Sequence, residues 1–221
     1  MTVERLAVAI TVVAIAAVGC APKPPDYQSI WSTSATTTTT APSTGAPVPI
    51  SGYLANLGIG AEAVEAAKLT DLTVTMPRPK GWEQYSNPNL APGQVVITEG
   101  SGYPSASLLT YRLDGAFDVK EALTHADAEA QVSQNFKKLN GSKDNYGAFP
   151  SSMIEGTYDL NGQRMQTYNR IVIAVGKPPQ AGVPGAQYLV QLTVTGFADE
   201  AVKEGPDVEA IIKGFTVAAK K

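Results

Sequence analysis

The chain holds one His and one Cys, so any general-base, triad or imidazole–metal chemistry must run through His125. This residue follows Leu123 and Thr124 and stands beside Asp127 and Glu129. As the activator of a nucleophile it would need a Ser and an orienting acid, and the sequence has no GxSxG turn to present such a Ser. It reads instead as a partly exposed helix histidine. Glu155 and Asp159 lie four apart on one predicted strand, about 13 Å along it. Glycosidase carboxylate pairs sit closer than that, so these two read as a solvated sheet face. Gly176-Lys177-Pro178 lacks the upstream Gly and the Ser/Thr of a phosphate loop. A Cys/His zinc or iron–sulfur site needs more ligands than the chain has. The expectation is a protein without catalytic residues, metal or cofactor.

Binding chemistry has more candidates. Arg164 and Arg170 share strand parity with Tyr168, which suits either a clamp on an anionic or sugar headgroup or ordinary salt bridges. Trp82, Tyr85 and Tyr103 lie beside turns, where aromatic rings with a polar tip can stack on a ligand or fill a core. These six residues are the candidate rim of a ligand site.

The single Cys has a different role. A short polar start, Met1 to Arg5, precedes the apolar run Leu6 to Val18, and Ala17-Val18-Gly19 then leads into Cys20. The run is too short for a membrane-spanning helix, which needs about 20 residues, and it fits the core of a signal peptide. Small residues in front of Cys20 match a lipobox, where the thiol takes a diacylglyceryl group and the chain is cut before the Cys. Two or more acyl chains, each methylene contributing about 0.8 kcal/mol, hold a protein stably on a bilayer. Cys20 is thus the predicted lipidation site.

The 17 basic and 20 acidic residues leave a net charge of −3 over 221 residues, which gives no electrostatic footprint for nucleic acid. From Ala21 to Pro49 the chain is rich in Pro, Thr, Ser and Ala, and it reads as a disordered tether. As a flexible coil its reach is about 30 Å. The predicted layout is a signal peptide over 1–19, Cys20 and the tether over 20–49, and a folded domain over 50–221.

Within that domain, Ser51 to Leu57 suits a short helix. Leu69 to Met76, Gln94 to Glu99, Ser105 to Leu113 and Gln187 to Thr195 alternate as strands. Asn161-Gly162 between the alternating runs Ser152–Leu160 and Gln163–Val175 marks a hairpin with a type I′ turn. Asp118 and Glu121 resemble a capping box. They open a stripe through Val119, Ala122, Leu123, Ala126, Ala130, Val132, Phe136 and Leu139 that reads as one long helix ending at Asn140-Gly141. Asp199–Lys203 and Asp207–Lys213 read as two helical pieces divided by Gly205-Pro206. Antiparallel strands with inserted and appended helices make an α+β layered sandwich.

Several strings add a resemblance over essentially the whole chain. Cys20 behind its apolar leader, the Thr/Pro-rich tether, YLANLGI (Tyr53 to Ile59), TDLTVTMPRPKGW (Thr70 to Trp82), FPSSMIEGTYDLNGQRMQTYNRIV (Phe149 to Val172), YLVQLTVT (Tyr188 to Thr195) and IIKGF (Ile211 to Phe215) are similar, in that order, to the mycobacterial LpqN/LpqT lipoprotein family. The resemblance implies a PsbP/Mog1-type fold, a central antiparallel sheet with helices on both faces. It also implies a cell-surface lipoprotein with no established catalytic motif.

The leading expectation is a non-catalytic protein, lipid-anchored on the outer face of the cell membrane, that binds an amphiphilic lipid or glycolipid or a membrane-protein partner. The alternative is a pure interaction or structural surface module. A hydrolase built on His125 stands last.

Overall fold

The computed structural model describes residues 47–100 and 102–221. The predicted signal peptide, Cys20 and nearly all of the tether lie outside the described residues.

Chain order runs α1 (Ile50–Asn56), β1 (Gly60–Ala63), a 3-10 turn (Ala66–Lys68), β2 (Leu72–Thr75), β3 (Trp82–Tyr85), β4 (Val95–Glu99) and β5 (Ser105–Asp114). There follow α2 (Val119–Thr124), a 3-10 turn (His125–Asp127), α3 (Ala128–Gln131), β6 (Lys137–Ser142), β7 (Ser151–Leu160), β8 (Gln163–Val175), β9 (Gln187–Phe197), α4 (Ala201–Gly214) and β10 (Thr216–Ala219). The main sheet has the order β3-β4-β5-β9-β8-β7-β6, and β1 pairs with the far half of β5. Every pairing is antiparallel, and β2 and β10 make a separate two-stranded ribbon. The expected α+β sandwich, with helices on both faces of a central antiparallel sheet, is the architecture observed.

Strand alternation divides the core in two. Tyr188, Val190, Leu192 and Val194 of β9, with Tyr168, Val172 and Ala174 of β8, face the ribbon and α4. That side is closed by Leu72, Val74, Val208, Ile211, Phe215 and Val217. The intervening residues Leu189, Ile171 and Ile173, with Leu113 of β5, face α1 and α2 and meet Ile50, Leu54, Ala122, Leu123 and Ala126. Because the side-chain period of a strand is two, one run of sequence supplies both cores. Asn161 (φ 51°) and Gly162 (φ 79°) form the tight turn between β7 and β8, whose register runs unbroken from Leu160↔Gln163 to Ser151↔Val172.

Two expectations are corrected. The stripe from Val119 to Leu139 is not one helix: α2, a 3-10 turn and α3 end at Gln131, and Lys137–Ser142 is the edge strand β6. Asp118 does cap α2, its carboxylate accepting the Glu121 amide at 3.0 Å. The helix stops because Val132 points to solvent, 62% exposed, and Asn135 turns with φ 53°. Phe136 then packs on Gly156 of β7, and backbone pairing to β7 captures the rest. The pieces flanking Gly205-Pro206 are likewise one helix, α4. Pro206 lacks the N–H that would reach the Val202 carbonyl, but Val202 is exposed and water meets that carbonyl instead. Burial of Val208 and Ile211 against the sheet outweighs the missing bond.

Candidate functional site

Helix α1 has seven residues, too few to stand alone in water. It stays folded because Ile50 and Leu54, four apart on one face, are buried against the sheet. Each contributes about 1.5–3 kcal/mol at most. His125 adds a second hold: its ring stacks on Tyr53 with centroids 4.3 Å apart, and its Nδ1 lies 3.0 Å from the Val48 carbonyl oxygen. The single His is therefore a fastener for the segment that leads into the domain.

Beneath α1 the packing is incomplete. A slot of about 240 Å³ lies between Ile50, Ser51, Leu54 and Ala55 of the helix and the floor formed by Leu109, Tyr111 and Leu113 of β5 with Leu189 and Gln191 of β9. Ile59 and Ala61 close one side. The lining is predominantly aliphatic, so water gains little there and an alkyl chain gains contact. Ala61 and Leu113 also belong to the wall of a broader, open groove of about 950 Å³ at the end of the sheet. That groove carries Glu62, Arg112 and Asp114 together with Phe117. An apolar slot adjoining a charged open groove is the arrangement that suits a molecule with a tail and a head.

The six candidate rim residues fall elsewhere, and none of them lines the slot or the groove. Trp82 is buried beside α4, where its Nε1 donates to Asp207 Oδ2 at 3.0 Å. Tyr85 is exposed on the edge strand β3 and accepts a bond from Asn87. Tyr103 meets Phe197 edge-on at 5.4 Å. Tyr168 and Arg170 are together: Arg170 Nε donates to the Tyr168 hydroxyl, Nη1 donates to Ser151 Oγ, and the guanidinium lies 4.6 Å from the Tyr146 ring centroid. Arg164 is apart from them at the hairpin tip, held by Asp159 Oδ1 at 2.9 Å, the Asn135 carbonyl and Thr157. Both arginines are committed to partners within the fold.

The carboxylates differ from a solvated face as well. Glu155 is half-buried, and burial raises its pKa against the opposing pull of Asn140 and Arg170. Hydrogen bonds from Asn135 and Arg164 hold Asp159 below the ordinary carboxylate range. Ser152, Lys143 and Asp127 at first sight suggest a serine–lysine nucleophile. Ser152, however, is buried and donates to Asp127 Oδ1 at 2.9 Å, while Lys143 Nζ bonds Ser152 Oγ, Asp127 Oδ1 and the Leu123 carbonyl. The trio fastens the α2–α3 segment to β7, and no substrate reaches it.

On the opposite face, Glu204 occupies a position in the apolar stripe of α4 with Val208 and Ile211. Burial raises its pKa to about 7, with Glu200 adding to the shift. Neither amide atom of Gln166 nor Glu204 Oε1 has a partner among the described residues. The two side chains line a void of about 10 Å³, room for one water.

The slot escaped the sequence reading because its polar member, Gln191, sits inside the apolar run Tyr188–Thr195 on the face opposite Tyr188, Val190, Leu192 and Val194. A glutamine on the second buried face of a central strand was the available signal.

Comparisons with known proteins agree with this architecture. The family model described as "Probable lipoprotein LpqN" matches residues 46–218. LpqT of Mycobacterium tuberculosis is 49% identical over 215 residues, covering 97% of this chain and 93% of its own. LpqT of Mycobacterium leprae is 46% identical over 214 residues, covering 97% and 95%. Among solved structures, LpqN of Mycobacterium tuberculosis, a protein involved in cell envelope biogenesis, superposes with a TM-score of 0.62 at 20% identity. The match covers 77% of this chain and 97% of that one, so the solved LpqN chain carries little beyond the shared fold.

Proposed function

The chain belongs to the LpqN family of lipoproteins, and from that premise we propose that it is a non-catalytic envelope protein, anchored through Cys20, that holds an amphiphilic lipid or glycolipid. The apolar slot beneath α1, opening beside the charged groove at the end of the sheet, is the observation that carries this reading. The tail lies between Leu54 and Leu189, and the head reaches Arg112, Glu62 or Asp114. Involvement of LpqN in cell envelope biogenesis supports an envelope role for its relative. Lipidation of Cys20 puts the domain on the outer face of the membrane, where the tether of residues 21–49 gives it about 30 Å of reach.

Native mass spectrometry of residues 47–221 after incubation with envelope lipid extract tests the reading. Retention of a lipid by the native sequence, and its loss in Ala55→Phe, which fills the slot from the helix side, is the expected result. Retention of no lipid by either overturns it. A membrane-protein partner is the second reading, favoured by exposed Val132 and Leu139 beside the edge strand β6. Pulldown from membranes, with both residues changed to Ser, separates the two.

A further inference from the structure

Gln191 is 3% exposed and faces the slot from β9, directly opposite Leu109 in the sheet. Its orientation is fixed by two neighbours. Thr193 Oγ1 donates its one proton to Asn169 Oδ1 at 3.0 Å, so toward Gln191 that hydroxyl can only accept. Gln191 Nε2 fills this role, lying 3.3 Å from Thr193 Oγ1 and 3.1 Å from Asn169 Oδ1. The amide nitrogen is thereby committed to the sheet, and the carbonyl oxygen Oε1 is turned away, with no partner among the described residues. It presents an acceptor at a wall otherwise made by Leu109, Leu189 and Leu54.

We propose that Gln191 makes the slot selective for a neutral chain whose buried part carries an O–H donor, as in an alcohol or a protonated carboxylic acid, over a chain that carries none. The inference rests on the reading of the slot as the ligand site and names the chemistry it recognises. An unmet acceptor in apolar surroundings is unfavourable, and a ligand hydroxyl removes that deficit where a methyl or ether group leaves it. An ionised carboxylate offers acceptors alone and meets Oε1 with like partial charge, so it is disfavoured. Along β5, Leu113 beside the groove and Leu109 beside Gln191 are four residues apart, about 14 Å. An amphiphile whose head stays in the groove therefore carries its donor well down the tail.

The test uses residues 47–221, since the solved LpqN chain shows that this fold stands with little else attached. The probes are 1-decanol and 1-methoxynonane, equal in heavy atoms and different in the donor. Binding is read from the methyl resonances of Leu54, Leu109 and Leu189. The expected result is that 1-decanol binds about five- to tenfold more tightly, and that Gln191→Met brings the ratio to about one. Equal affinities in the native sequence, or an unchanged ratio in Gln191→Met, overturn the selectivity while the slot remains a binding site. If neither probe moves those resonances, both the selectivity and the reading beneath it are overturned. Should Gln191→Met fail to fold, the two probes on the native sequence still decide the matter.

Discussion

The His125 imidazole lies flat on the Tyr53 ring, with centroids 4.3 Å apart and planes 18° from parallel, while its Nδ1 reaches the Val48 carbonyl oxygen. The contact joins the 3-10 turn after α2 to the roof of the slot and to the segment arriving from the tether. Such a stack and one half-exposed hydrogen bond contribute about 1–2 kcal/mol together. His125→Ala is expected to speed hydrogen exchange at the Tyr53, Leu57 and Gly58 amides, whose bonds close α1, and to leave the central strands β8 and β9 protected. Unchanged exchange in α1 would show that Ile50 and Leu54 hold the roof alone.

Glu204 predicts an unusual direction of pH dependence. Burial raises its pKa from 4.5 to about 7, and the charged groups that face it are Glu200, Lys203 and Glu99. A carboxylate whose folded pKa lies above the unfolded one favours the fold when protonated. Its contribution is therefore fullest below pH 4.5 and is lost as pH rises through 7. Glu204→Gln removes that penalty, so the variant should exceed the native sequence at pH 8 by up to about 3 kcal/mol and match it near pH 4. Thermal melts across this range check the sign. Glu129, also raised to about 7 by burial, leaves a weaker slope of the same direction in the variant.

Gly156 gives a steric prediction. A Cβ there would lie 2.5 Å from the Phe136 ring and 2.8 Å from the Lys137 carbonyl oxygen. Gly156→Ala must therefore push Phe136 off β7, with an expected loss of about 1–3 kcal/mol in denaturant unfolding. If Phe136 is what the added methyl displaces, Phe136→Ala should absorb most of the loss in the double variant.

The same contact explains how far the sequence could be read. Where one physical signal dominated, the elements were legible: alternation in β5, β8 and β9, Asn161-Gly162 at the hairpin, and Asp118 at the start of α2. The segment from Val132 to Leu139 carries helical spacing, but its fate is decided by Phe136 finding Gly156 and by β6 finding the open edge of β7. Both partners are distant in sequence. Trp82 shows the same limit, since its hydrogen-bond partner Asp207 is 125 residues away. The ligand slot was hidden for a further reason. It arises where a short helix fails to fill the space above β5 and β9, and a shortfall of volume leaves no pattern in residue order. By contrast, Cys20 was legible because its signal is wholly local.

That local signal supports the last prediction. A lipobox cysteine carries two ester-linked acyl chains on a thioether-bound glycerol, and a third chain can join the new amino terminus through an amide. One chain gives marginal, reversible membrane binding, whereas two or more hold stably. Cells fed an alkyne-tagged fatty acid should label the native chain and leave Cys20→Ser unlabelled. Mild alkali cleaves the esters and spares the amide and the thioether, so it should turn stable membrane association into weak, reversible binding without cutting the protein. Persistent labelling of Cys20→Ser, or alkali-resistant stable association, would place the anchor at some other residue or in an uncleaved leader.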